Sequence, residues 1–276
     1  MPRRSPQLAL SRICLMLALA ALTVPLVAGR DSNPWEQTDW QQWTSKDIHK
    51  ILSNSPWVST CCRDFSGAPA SSDGAGDLTA SPGYISVLVS SRAVREALVR
   101  NVQLDKRYEK LDPARRREVD QKADACLNKK FDNFVVFGFS FLVNSKVGGK
   151  LGDKLAAIST AISNVSIATS DGRNIAGHLV PAPESISMAC GAFAHDSYLA
   201  SLGSLWSDLP SFSWPLGPGK ELAFPRLVDG KPTIRPEDKT IRIHLDVKAI
   251  RDPHPANYYN IDFTIAKLIY QGKPDF

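Results

Sequence analysis

The pattern that most constrains this chain lies near its end. Ile241, Ile243, Leu245 and Val247 alternate with Arg242, His244, Asp246 and Lys248. After a break at Asp252-Pro253-His254-Pro255, Ile261, Phe263 and Ile265 alternate with Asp262, Thr264 and Ala266. Successive side chains of a strand point to opposite faces, so a period of two marks one buried and one wet face. Two such stretches around a proline-rich turn predict an antiparallel pair.

Other segments add strands to that pair. Residues 134–143 (FVVFGFSFLV) form the most apolar run after the N-terminal stretch and predict a central strand covered on both faces. Residues 57–62 and 84–90 also read as strands, and residues 165–170 and 174–180 flank an Asp171-Gly172 turn as a hairpin. Helices come between them. Thr44 and Asp47 have N-cap spacing before Ile48, Ile51 and Leu52, and Pro56 stops that helix. A second helix covers 92–102, with Val94, Ala97, Leu98 and Val102 on one face. A third opens at Asp112-Pro113 and runs to about Asn128, with a narrow stripe of Val119, Ala123, Cys126 and Leu127. Leu155, Ile158 and Ile162 mark a short fourth. Strands alternate too little with helices for a parallel sheet. The prediction is an α+β fold, a mainly antiparallel sheet with three to four short helices on one face. It is a single domain over residues 30–276, with a flexible Ser/Gly/Ala/Pro-rich insertion at 66–83. Residues 181–219, rich in Ser, Pro and Gly, give no clear pattern.

The start of the chain reads as an address. Arg3, Arg4 and Arg12 precede a short apolar run, 13–28, that Pro25 interrupts and Ala28-Gly29 ends. That is the form of a cleaved secretory signal over residues 1–29, and the run is short for a membrane anchor. The segment holds three Arg and no acid, which leaves 30 basic and 28 acidic residues, a net charge of +2. Nucleic-acid binding loses its electrostatic support, and no membrane span is expected once the signal is removed. The mature chain keeps Cys61, Cys62, Cys126 and Cys190, which in an exported protein predict a long-range disulfide whose pairing stays open; buried thiols are the alternative.

Motifs for chemistry are sparse. There is no Gly-x-Ser-x-Gly elbow, and Ser140 sits inside the apolar run. Cys190 with His195 and Asp196 is the best nucleophile–base arrangement, but closeness in sequence does not assemble a dyad. His49, His178, His195, His244 and His254 lack metal-ligand spacing. Val147-Gly148-Gly149-Lys150 lacks the first glycine and the hydroxyl of a phosphate loop. Glu184 and Glu237-Asp238 have turn-like placement, with nothing to set the separation a glycosidase needs. No catalytic, cofactor-binding or metal-binding residue is therefore assigned, and no cofactor is implied. Trp35, Trp40, Trp43 and Trp57 crowd the N-terminal region, where exposed rings would suit a protein or glycan ligand and buried rings would clamp the first helix. Clamping is the expectation, because a short helix needs tertiary anchoring.

Several blocks carry a resemblance: residues 43–47 (WTSKD) through 51–57 (ILSNSPW), 92–98 (RAVREAL), Phe224-Pro225-Arg226, Pro236-Glu237-Asp238-Lys239, and 269–273 (IYQGK). In this order the chain resembles a group of exported, uncharacterised acidobacterial proteins. The resemblance implies a bacterial exported protein, located in the periplasm or outside the cell, and brings no catalytic residue. The functional expectation is a non-catalytic envelope or extracellular interaction or ligand-binding module. A secreted hydrolase with a site assembled from distant residues is the alternative.

Overall fold

The period-two stretches pair as expected. In the structure, a computed structural model, residues 33–61, 84–141, 162–180, 220–247 and 258–276 are described. The predicted leader 1–29, the insertion 66–83 and the segment 181–219 lie outside them. Residues 34–276 form one compact unit. Its strands are β1 (Val58–Cys61), β2 (Tyr84–Leu88), β3 (Phe134–Phe141), β4 (Ile162–Thr169), β5 (Asn174–Ala176), β6 (His178–Leu179) and β7 (Lys220–Pro225). The small hairpin β8 (Leu227–Val228)–β9 (Lys231–Pro232) follows, then β10 (Thr240–Val247), β11 (Tyr258–Thr264) and the hairpin β12 (Ile269–Tyr270)–β13 (Lys273–Pro274). The helices are α1 (Pro34–Gln37), α2 (Ser45–Ser53), α3 (Arg92–Gln103), α4 (Lys106–Glu109) and α5 (Pro113–Asn128).

The fold is α+β with antiparallel sheets. A five-stranded sheet has the order β1-β2-β3-β7-β6, and a four-stranded sheet the order β11-β10-β4-β5. Ile241, Ile243 and Leu245 lie opposite Phe263, Ile261 and Tyr259, so the apolar faces of β10 and β11 coincide. That face packs on the larger sheet through rings: Phe137 on Phe263 at 5.0 Å, and Tyr259 on Tyr84 at 6.0 Å and on Phe139 at 6.2 Å. Ile85 and Val87 point the other way along β2 and are also buried, in one core with Ile51, Val94, Ala97 and Val119 of the helices. The larger sheet is thus covered on both sides, which is why β2 and β3 lack alternation.

The helix starts follow their local chemistry. Thr44 and Asp47 close a reciprocal capping box on α2, and Asp112 caps α5 ahead of Pro113. The buried stripe of α5 is Val119, Ala123, Cys126 and Leu127, as its spacing predicts. Trp43 and Trp57 are fully buried beside Tyr270, each 6.2 Å from its ring, and Trp35 meets Trp57 edge-on at 5.4 Å. Burying each indole contributes at most about 4–6 kcal/mol, from 150–250 Å² at about 25 cal/mol/Å². These rings clamp the helical layer, and a ligand has no access to their faces; Trp40 is half-buried at the edge.

Two sequence expectations need correction, and a third needs extending. Ile162, expected on a helix, opens β4, where it lies opposite Val247. Residues 174–180 are two strands, not one: Ile175 pairs with Ile167 in the smaller sheet, whereas Leu179 pairs with Leu222 in the larger. The chain changes sheets at Gly177, where a Cβ would lie 2.5 Å from the Phe224 ring and 2.9 Å from the Ala223 carbonyl oxygen. On α3, Val94, Ala97, Leu98 and Val102 pack against the core as expected, the last two in part; Val99 is buried as well, and so are Arg95 and Glu96. Polar partners outside the helix draw those two inward, beyond the reach of an apolar-periodicity argument.

Candidate functional site

The site begins with the orphan carbonyls at the C-terminus of α5, which need donors. Arg95 of α3 supplies them. Its Nη1 donates to the carbonyl oxygens of Leu127 (2.8 Å), Cys126 (2.9 Å) and Lys129 (3.1 Å), and its Nε donates to Ser91 O at 3.3 Å. A cation at the negative end of the helix dipole is favourable, so the arrangement holds α3 and α5 together. Arg95 is 7% exposed, and no carboxylate makes an ion pair with it among the described residues. Burial, reinforced by neighbouring Arg92, pulls its pKa down to about 10, still cationic at neutral pH.

A second guanidinium faces the same space. Arg226 follows β7; its backbone N–H donates to Asn133 O at 2.7 Å and its Nε donates to Phe131 O. Burial lowers its pKa, while Asp132 and Asp275 partly compensate. Asp275 is itself committed to the α3 N-terminus, accepting from Ser91 Oγ and from the backbone N–H groups of Arg92 (2.7 Å) and Ala93 (3.2 Å). Among the described residues, Nη2 of Arg95 and both Nη groups of Arg226 have no protein acceptor.

These groups line an open basin of about 430 Å³, with Lys129, Phe131 and Phe276 also in its wall. Two cations approach the Phe131 ring: Arg95, whose Cζ is 5.0 Å from the ring centroid, and Lys129, whose Nζ is 5.9 Å away. Across the 129–133 loop is a smaller hollow of about 210 Å³, beside Phe134 and His178, whose rings meet edge-on at 5.4 Å. Guanidiniums of this kind bind and orient anions; they exchange no proton at neutral pH.

The residues singled out from sequence lie elsewhere. Cys190, His195, Asp196, Glu184, His254 and the 147–150 turn fall outside the described residues. His49 is exposed on α2. His244 lies on the wet face of β10, bonded to Asn260 Oδ1 (2.9 Å) and Asp246 Oδ1 (3.0 Å) and stacked on Tyr258. Glu237 and Asp238 oppose arginines rather than another carboxylate. Asp238 is buried and pairs with Arg235 (3.1 Å) and Arg173 (3.4 Å), and Glu237 lies 3.6 Å from Arg235. Among the described residues, no group of three or more His, Cys, Asp or Glu could hold a metal ion. No helix there is long and apolar enough to cross a membrane.

Sequence reasoning missed Arg95 and Arg226. The available signal was faint: Lys129-Lys130-Phe131 after the last turn of α5 announces a cationic, aromatic helix end, but does not name its partners. No family model, curated protein or solved structure matches the chain.

Proposed function

We propose that this chain is an exported bacterial protein acting in the envelope or outside the cell as a non-catalytic ligand-binding module, with the Arg95–Arg226 basin as its binding site. One observation carries the reading: two guanidiniums that line a basin of ligand size are held by main-chain carbonyls and keep N–H groups without a protein acceptor among the described residues. Neither guanidinium makes an ion pair among the described residues, although Asp132 and Asp275 act on Arg226 from further off. The signal-like residues 1–29 and the resemblance to exported acidobacterial proteins support the compartment. A long-range disulfide among Cys61, Cys62, Cys126 and Cys190 belongs to the same reading, since such bonds persist in oxidising compartments.

The test is intact-mass measurement after expressing the full chain with a C-terminal tag in a bacterium, joined to a thermal-shift screen of the recovered protein. The expected result is a mature N-terminus close to Arg30, a mass lowered by a disulfide, and ligands whose stabilisation disappears in R226Q. Full translated mass in the cytoplasm would overturn export. Stabilisation by ligands that R226Q leaves intact would overturn the site.

A further inference from the structure

The basin's charge and shape also select a ligand class, an inference that rests on the binding-module reading above. Four cationic side chains line it, Arg95, Lys129, Lys130 and Arg226, against the two carboxylates Asp132 and Asp275. The side-chain excess is positive, which favours an anion over a neutral ligand. Both carboxylates act on Arg226 and offset part of its charge. A planar carboxylate accepts two parallel N–H bonds from a guanidinium fork, and Arg226 has both Nη groups unused. Phe131 and Phe276 lie in the same wall, so an apolar body attached to that head has rings to cover it. We propose that the basin binds small monocarboxylates with an apolar or aromatic body, the carboxylate held by Arg226 and Arg95 and the body set against Phe131 and Phe276.

Removing water from the carboxylate costs free energy, but folding has already desolvated the two guanidiniums in part. Their desolvation lowers the Arg95 and Arg226 pKa values, and an anion would reverse that strain. Lys129 and Lys130, at the basin edge, add long-range attraction that salt screens.

The test is a titration of the mature protein, residues 30–276, with benzoate, acetate, inorganic phosphate and benzamide, followed by arginine Nε–Hε and backbone NMR shifts. Benzoate is expected to saturate shifts at Arg95, Arg226 and Phe131. It should bind at least about tenfold more tightly than acetate or phosphate, and R226Q should weaken it by at least about tenfold, the loss of one charge-assisted pair. R226K, which keeps charge without the fork, should recover only part of that loss. Tighter phosphate binding at these residues would overturn the carboxylate assignment and leave the binding site standing. Equal binding of benzamide, insensitive to R226Q, would overturn the anion assignment in the same way. Shifts at no basin residue with any probe would overturn both. The wild-type titration decides between these outcomes even if R226Q fails to fold.

Discussion

Replacing Gly177 with alanine tests how one chain serves two sheets. The added Cβ would sit 2.5 and 2.6 Å from Phe224 Cε1 and Cδ1, and 2.9 Å from the Ala223 carbonyl oxygen. Carbon atoms in contact prefer about 3.5–4.0 Å, so the overlap is about 1 Å. Phe224 cannot simply turn aside, because it is fully buried and packs edge-on against Phe137 with centroids 5.9 Å apart. The Ala223 main chain is fixed between β3 and β6. Overpacking of this kind costs about 1–3 kcal/mol. Losing the freedom of glycine in the unfolded chain returns about 0.4–1 kcal/mol. The two effects combine to between about 0 and 2.6 kcal/mol. The close approach to fixed backbone as well as to a ring sets the prediction for G177A at a destabilisation of about 1–2 kcal/mol. Urea unfolding followed by tryptophan fluorescence should show a lower midpoint at an unchanged slope. The melting temperature should fall by about 2–8 °C, at about 2–4 °C per kcal/mol for a chain of this size. Because F224L makes room at the same place, the double variant should lose less than the sum of the singles. A G177A protein as stable as wild type, or more so, would refute the account of where the chain changes sheets.

Two further predictions concern buried hydroxyls. Tyr270 Oη donates to Glu96, which is buried and also paired with Arg92, so Y270F should cost about 1–3 kcal/mol in urea midpoint measurements; a cost below about 0.5 kcal/mol would mean that the bond is not formed in solution. Tyr259 is pushed up to about 12 by burial, and Tyr108 to about 12 by burial and its bond to Asp120. A phenol whose folded pKa is raised contributes stability that is complete below its unfolded pKa of 10.0 and is lost as pH rises through the folded value. Stability should therefore fall between about pH 10 and 12, and Y259F should flatten that fall; absorbance at the tyrosinate band that rises fully below pH 11 with the fold intact would contradict it.

The legible part of the fold was the part governed by one face and one solvent. β10, β11 and the stripe of α5 each bury a single side, so their period and their partners follow from spacing. The Asp171-Gly172 turn also appears where its residues predict, with Gly172 at φ 86°. Gly177 was silent, because a sheet change is set by Phe224, 47 positions away in sequence. Arg95 looked like one more polar residue on a surface helix until the carbonyls of Cys126, Leu127 and Lys129 were brought to it. The basin is hidden for the same reason: α3, the residues after α5, Arg226 between β7 and β8 and the C-terminal residues form it only after the sheets and helices have packed.

Arginine modification by phenylglyoxal, read by peptide mass spectrometry on the mature protein, tests the basin most directly. The reagent attacks deprotonated guanidine, so a lowered pKa and an unoccupied fork both raise reactivity. Burial lowers the Arg226 pKa, whereas bonds to Asp238 and Asp262 raise those of Arg235 and Arg242. Arg226 should react before Arg235 and Arg242, and benzoate should slow it selectively. Reaction of Arg226 after both, with no protection by benzoate, would contradict the claim that its N–H arms stand open for a ligand.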